Sequence, residues 1–264
     1  MIRLGVLGWP VAHSRSPAMQ NAALQAVGLV DWRYQLLPVP PELFGETVRA
    51  LPGAGFRGAN VTIPHKERAL KLANTATPRA RAIGAANTLI FDAENGIEAD
   101  NTDAAALIEA LPVPIENRTA LVLGAGGSAR AAVWALLDAG AREVRVWNRT
   151  LQRALQLTAD LGGAAVQRPA PADLLVNCTS SGLDPAEAPF KGLPVAADDL
   201  ETFACVVDFV YSDQETALAH AARARDVPVV DGLELLVGQG ALSFERFTDR
   251  PAPRAIMRAA VRRR

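Results

Sequence analysis

The sequence predicts an α/β protein of two domains, each built on a mostly parallel sheet. Three observations carry this expectation. Apolar runs of strand length alternate with helical stretches along nearly the whole chain, the signature of βαβ units. A glycine turn, GAGGSA at 124–129, falls directly between a strand pattern and a helix pattern. The breaker stretch PVPIEN, 112–117, divides two regions of different texture.

The elements follow in chain order. IRLGVLG reads as a first strand. SPAMQNAALQAVG reads as a helix, with Ser16 as N-cap, Pro17 in its first turn and Gly28 as its stop. PPELFGETVRAL is a second helix and RGANVTI a second buried strand. HKERALKLA and TPRARAIG are helical, and ANTLIFDAENGIEADN is a hairpin turning at Asn95-Gly96. A helix from Asp103 to Leu111 leads into the breaker. Beyond it, residues 119–150 spell strand, glycine turn, helix and strand, and LLVNCTSSG, CVVDFVY and VPVVDG add three more strands. The closing helices, DGLELLVGQGALSFERFT and PRAIMRAAVRRR, fit no βαβ unit and are expected to return to the first domain. The expected domains are 1–103 with 232–264, and 104–231.

Composition narrows the function. Half of the 264 residues are hydrophobic and the net charge is −1. No basic stripe with interleaved aromatics is present, so nucleic acid is not an expected partner. Cys178 and Cys205 stand far apart and form neither a disulfide framework nor a metal motif. The apolar start MIRLGVLGWPV breaks too soon for a secretory signal, and no run reaches the roughly 18 apolar residues of a membrane span. The expectation is a cytoplasmic protein, monomer or homodimer, acting on a small molecule without a metal.

GAGGSA fits the dinucleotide fingerprint of a Rossmann-type, doubly wound parallel sheet. Gly124 permits the tight turn, Gly126 lets the backbone approach a pyrophosphate, and Ala129 packs helix on strand. With Ala125, Gly127 and Ser128 they present a helix N-terminus to phosphate. An NAD site places an acid at the end of the next strand to hold the ribose hydroxyls. Here EVRVW runs into Asn148, Arg149 and Thr150, with Arg153 one turn on. Two guanidiniums at a helix start oppose its dipole unless an anion satisfies them, and a 2′-phosphate is such an anion. The expected cofactor is therefore NADP. The missing acid also argues against a methyltransferase, while a non-enzymatic NADP-binding regulator stays open from this half alone.

The first half carries the chemistry. Only three of the 27 basic residues are lysines, and Lys66 sits in NVTIPHKE right after a strand. Arginine keeps its proton, whereas lysine can release one, so if the choice of lysine matters it matters where a proton moves; the alternative is a lysine kept by chance, as Lys71 one turn later looks ordinary. HSRSP sets Ser14 and Ser16 two apart before a helix, either as a carboxylate cradle or with Ser16 as a plain cap. Asn87-Thr88 and Asn101-Thr102-Asp103 bring amides and an acid to strand ends, and Gln239 is a polar residue in an apolar helix.

Together these stretches resemble shikimate dehydrogenase over essentially the whole chain. The matching motifs are GWPVAHSRSPAMQNAAL, GANVTIPHKE, GAANTL, NTD, VLGAGGSARA, NRT with Arg153, VDFVY and DGLELLVGQGA. The resemblance implies NADPH-dependent, reversible reduction of 3-dehydroshikimate to shikimate, on the route to aromatic amino acids. Lys66 and Asp103 would be the catalytic pair. Ser14 and Ser16 would hold the substrate carboxylate with help from Tyr211. Asn60, Thr62, Asn87, Asp103 and Gln239 would bind the ring hydroxyls, and the glycine turn with Asn148, Arg149, Thr150 and Arg153 would hold NADP. A mixed quinate/shikimate activity is the sibling alternative. Lys66 would act either as proton donor or as a fixed charge. The chain departs from the family pattern at Leu235, where a methionine is usual, in SDQETA after Tyr211, and at Trp9.

Overall fold

A computed structural model describes residues 1–92, 94, 96–184, 186–212 and 214–262. Two compact units divide the chain, residues 1–106 with 236–264 and residues 107–235.

In the first unit the chain runs β1 (Ile2–Gly8), α1 (Ser16–Ala26), β2 (Trp32–Pro38), α2 (Phe44–Ala50), β3 (Phe56–Val61) and α3 (Lys66–Leu72). It continues through β4 (Thr75–Ala76), α4 (Pro78–Ile83), β5 (Thr88–Asp92), β6 (Gly96–Asp100) and α5 (Asp103–Ala110). The six strands form one sheet in the order β2-β1-β3-β5-β6-β4. Its β2-β1-β3 part is parallel, while β5 runs antiparallel to both β3 and β6. The sheet is thus mixed, because the hairpin inserts one reversed strand. The expected hairpin turn at Asn95 lies outside the described residues. One face packs Leu7, Phe44, Val48, Leu89 and Ala99 into a closed core.

The second unit runs β7 (Thr119–Leu123), α6 (Gly127–Asp138), β8 (Glu143–Trp147), α7 (Leu151–Leu161), β9 (Ala164–Val166), β10 (Leu174–Asn177), β11 (Cys205–Asp208), α8 (Ala217–Arg223) and β12 (Val229–Val230). Its order is β12-β11-β10-β7-β8-β9, with every pairing parallel. Numbered from β7, that is the doubly wound order 3-2-1-4-5-6, which reverses between β7 and β10. All five residues of β7 and all four of β10 are buried, as strands covered by helices on both faces must be.

The last two helices are α9 (Gly232–Thr248) and α10 (Arg254–Arg262). The chain passes between units inside α5 and inside α9, rather than at their first residues. Helix α10 lies on α1 and buries Met257 and Val261, and Arg15 donates to the Val261 carbonyl at 2.6 Å. Arg263 and Arg264, the last residues of the expected closing helix, lie outside the described residues. No helix of the described residues is long and apolar enough to cross a membrane.

Two local expectations are corrected. Helix α1 begins at Ser16, with Arg15 in the cap position and no side-chain cap bond. Ser14 Oγ accepts the Ser16 amide at 3.3 Å, so the upstream serine meets that N–H. WRYQLLP, given no element in the sequence reading although Trp32, Tyr34 and Leu36 alternate with Arg33 and Gln35, forms β2. As an edge strand it buries only Tyr34 among its seven residues.

Candidate active site

Lys66 opens α3, and the residue before it fixes where that helix starts. His65 is buried and stacks on Phe44 with ring centroids 4.3 Å apart. Burial holds its imidazole below the usual range, so the ring stays neutral and keeps an N–H for the Val39 carbonyl at 2.7 Å. Asp103 opens α5 in a comparable way. Asn101 Oδ1 accepts from the amides of Asp103 and Ala104 at 3.1 and 3.3 Å, a capping role, while its Nδ2 donates to the Ala85 carbonyl.

Those two helix starts bring the ammonium and the carboxylate together. Lys66 Nζ donates to Asp103 Oδ2 at 2.7 Å, with the side chains only 12 % and 7 % exposed. The other oxygen, Oδ1, accepts from Asn87 Nδ2 at 2.8 Å. Asn87 also donates to Thr102 Oγ1 at 2.9 Å and to Gln239 Oε1 at 3.3 Å, and its Oδ1 accepts the Thr102 amide at 2.8 Å. Lys66, Asn87, Asp103 and Gln239 therefore form one hydrogen-bonded cluster, although 173 positions of chain separate the first from the last. Asn60 joins through its Nδ2, which donates to the Asn87 carbonyl at 3.2 Å. Thr62 follows β3, its amide bonded to the Leu7 carbonyl, and lies against Gly8, where a Cβ would strike its methyl group. Ser14 is half-buried and Ser16 buried at the start of α1. Tyr211 belongs to the second unit, half-buried on the loop after β11. Sequence reasoning placed Thr88, Asn101 and Thr102 at strand ends without a specific role and passed over Tyr34, yet all four supply much of this cluster's bonding. Only the placement of Asn101 two residues before the acid hinted at its cap.

The second unit carries the glycine turn at the carboxyl end of β7, beside the reversal of strand order, where doubly wound sheets bind ligands. Gly124 has φ +109°, and a Cβ there would come 3.0 Å from the Cys178 carbonyl oxygen, so the turn requires glycine. A Cβ at Gly126 would meet nothing within 4 Å. Helix α6 starts at Gly127 with Gly126 in the cap position and no side-chain cap bond, so a helix N-terminus opens directly after the glycine turn, the kind of position where phosphate binds. At the end of β8, Asn148 Nδ2 donates to the Thr150 carbonyl and shapes the turn into α7. Arg149 and Arg153 are both exposed there, and neither pairs with a carboxylate among the described residues. The residues present thus fit a dinucleotide with an extra phosphate.

A buried carboxylate sits nearby in the same unit. Asp208 ends β11 and accepts from Asn177 Nδ2 at 2.9 Å, the Val210 amide at 3.1 Å and Thr216 Oγ1 at 2.6 Å. Burial pushes its pKa up to about 6, against those three donors. Through Asn177, whose Oδ1 accepts from Thr179, the acid ties the loop after β10 to the loop that carries Tyr211.

Comparison with known proteins agrees with this layout. The family model for the shikimate dehydrogenase substrate binding domain matches residues 6–89. The shikimate / quinate 5-dehydrogenase model matches 107–180, and the shikimate 5'-dehydrogenase C-terminal domain matches 232–262. Shikimate dehydrogenase (NADP(+)) of Methylobacterium radiotolerans is 46 % identical over 96 % of this chain and 93 % of its own. The enzyme of the same name from Paracoccus denitrificans is 43 % identical over 97 % and 94 %. The Thermus thermophilus shikimate 5-dehydrogenase, solved in complex with NADP(H) and shikimate, superposes with a TM-score of 0.86 at 41 % identity, covering 99 % of both chains. At this identity over nearly the full length, the chain belongs to the shikimate dehydrogenase family.

Proposed function

We propose that this protein is an NADP-dependent oxidoreductase that interconverts 3-dehydroshikimate and shikimate, working in the cytoplasm as a monomer or homodimer. The observation that carries the reading is the Lys66–Asp103 pair, held at 2.7 Å and shielded from water, in a chain of this family. The first unit takes the substrate: Ser14 and Ser16 hold its carboxylate, while Asn60, Thr62, Asn87, Asp103 and Gln239 take its ring hydroxyls. Tyr211, of the second unit, is assigned to the carboxylate by the family resemblance alone. The second unit takes NADP, with its pyrophosphate on the backbone of Gly124 to Ser128 and its 2′-phosphate on Arg149 and Arg153, assisted by Asn148 and Thr150. The bound nicotinamide supplies the hydride for ketone reduction and accepts it in the reverse direction.

The chain's own residues handle the proton. Lys66 Nζ gives a proton to the carbonyl oxygen as negative charge develops there, and takes it back in alcohol oxidation. Asp103 accepts one ammonium hydrogen and so fixes the direction of the others. Asn87 holds the second carboxylate oxygen, which keeps the acid from turning away. Low exposure of the pair strengthens these interactions by lowering the local dielectric.

The direct test is reduction of NADP or NAD with shikimate or quinate as donor. The expected result is turnover with shikimate and NADP that exceeds every other combination. Absence of turnover with either polyol overturns the enzymatic reading, and a quinate rate matching the shikimate rate replaces it with the mixed activity.

A further inference from the structure

Tyr34 is the most deeply buried residue of an outer strand, 2 % exposed, and its hydroxyl spends itself on the interior. The strand is pinned at this residue by Asn21, which accepts the Tyr34 amide and donates to its carbonyl. The phenol reaches past β1 to β3 and donates to Asn60 Oδ1 at 2.8 Å. Asn60 Nδ2 donates to Thr88 Oγ1 at 3.3 Å, and Thr88 Oγ1 donates to Asn87 Oδ1 at 3.0 Å. Asn87 Nδ2 then donates to Asp103 Oδ1 at 2.8 Å, with Lys66 on the other oxygen.

Two backbone groups fix the direction of this chain. The Asn87 carbonyl can only accept, so the Asn60 amide turns its Nδ2 toward it and leaves Oδ1 for Tyr34. The Thr102 amide can only donate, so Asn87 turns Oδ1 toward it and presents Nδ2 to the acid. Every hydrogen from the phenol onward therefore points toward the carboxylate. All five members, Tyr34, Asn60, Thr88, Asn87 and Asp103, are buried, where aligned bonds polarise one another.

We propose that Tyr34 is a positioning residue: its buried hydroxyl heads a one-way donor chain through Asn60, Thr88 and Asn87 that orients the Asp103 carboxylate toward Lys66. The proposal rests on the reading of Lys66 and Asp103 as the reacting pair. Loss of the hydroxyl leaves the Asn60 amide held by the Asn87 carbonyl and by Ser243 Oγ, but removes the head donor of the chain, so Asn60, Thr88 and Asn87 are polarised less and Asn87 donates more weakly to the acid. A phenylalanine keeps the ring and its packing, so it separates this role from space filling.

The test uses the full-length protein with Tyr34→Phe, Thr88→Val and the double variant. Tyr34→Phe is expected to lower kcat for shikimate oxidation about fivefold, the scale of one neutral hydrogen bond. KM for shikimate should move less than kcat, and NADP affinity from a fluorescence titration should not move. Thr88→Val cuts the same chain further along, so the double variant should turn over no more slowly than the worse single variant. Wild-type kcat in Tyr34→Phe overturns the proposal, as do losses that multiply in the double variant. Asp103→Asn distinguishes the two levels. If it is inactive while Tyr34→Phe is unaffected, the donor chain alone falls, and if it turns over normally the reacting pair falls as well.

Discussion

The two units solve opposite problems with polar groups. In the first, the groups around Asp103 bond to one another: the acid accepts from Lys66 and Asn87, and Asn87 is held in turn by Thr88 and Thr102, with Asn60 on its carbonyl. In the second, the ligand-facing groups are left open, with an uncapped helix start, a glycine with empty space beside it and two exposed guanidiniums. A proton-transfer site gains from groups that are aimed before the substrate arrives, because reorganisation then adds nothing to the barrier. An anion site gains from unspent N–H groups and charge, which the phosphate itself completes. The contrast predicts that damage to the first site appears in turnover, and damage to the second in cofactor affinity.

Arg149→Ala should show the largest effect on the cofactor side. A charge-assisted bond of about 1.5–3 kcal/mol corresponds to roughly ten- to a hundredfold weaker NADP binding. NAD, which lacks the 2′-phosphate, should bind almost as before. Equal loss for both dinucleotides removes Arg149 from the phosphate site and blurs the contrast between units.

Replacing Ser14 and Ser16 together by alanine sharpens it from the other side. KM for shikimate should rise about tenfold or more as two hydrogen bonds to the carboxylate go, while NADP affinity holds. Only the long 3.3 Å bond from the Ser16 amide to Ser14 Oγ is lost at the helix start, about 1 kcal/mol or less, so the melting temperature should fall by no more than a few degrees. A clear drop in melting temperature with unchanged KM would instead make the pair a helix-start device.

A different effect concerns stability in the second unit. Burial raises the Asp208 pKa to about 6 from an ordinary carboxylate value near 3.8. The folded state therefore binds this proton more tightly than the unfolded chain. The resulting stabilisation is full below pH about 4 and is lost as pH rises through about 6. Relative to Asp208→Asn, wild type should gain up to about 3 kcal/mol between pH 7 and pH 4 in chemical denaturation. A gap that shrinks on acidification shows that the three donors outweigh burial.

The α/β class, the glycine turn and nearly every helix were legible in the sequence, because apolar period and Gly or Pro punctuation are local signals. Strand β2 was not. Trp32, Arg33, Tyr34, Gln35 and Leu36 do alternate, but the run is short, ends in Leu-Leu-Pro and buries only Tyr34, so it was passed over. The first sheet's reversed strand was implied by the hairpin, but where β5 would pair depended on distant β3. Resemblance singled out Lys66, Asp103, Asn87 and Gln239. The groups bonded to them were harder to see: Tyr34 meets Asn60 only after β2, β1 and β3 come together, and Thr102 meets Asn87 only once the β5–β6 hairpin closes in its actual register. Ser16 illustrates a misleading local signal: Ser-Pro reads as a cap, yet the chain starts its helix one residue earlier and meets the Ser16 amide with Ser14.

The central claim is that Lys66 moves a proton, and Lys66→Arg beside Lys66→Ala tests it most directly. Arginine keeps the positive charge and can still donate to Asp103, but it does not release a proton in a protein. Steady-state kcat for shikimate oxidation should fall by about 10²–10⁴ in the arginine variant, close to the alanine variant, with NADP affinity intact in both. The shikimate KM of the arginine variant shows whether the longer side chain still admits substrate. An arginine variant within a few-fold of wild type would contradict proton transfer by Lys66 and leave it the role of a fixed charge.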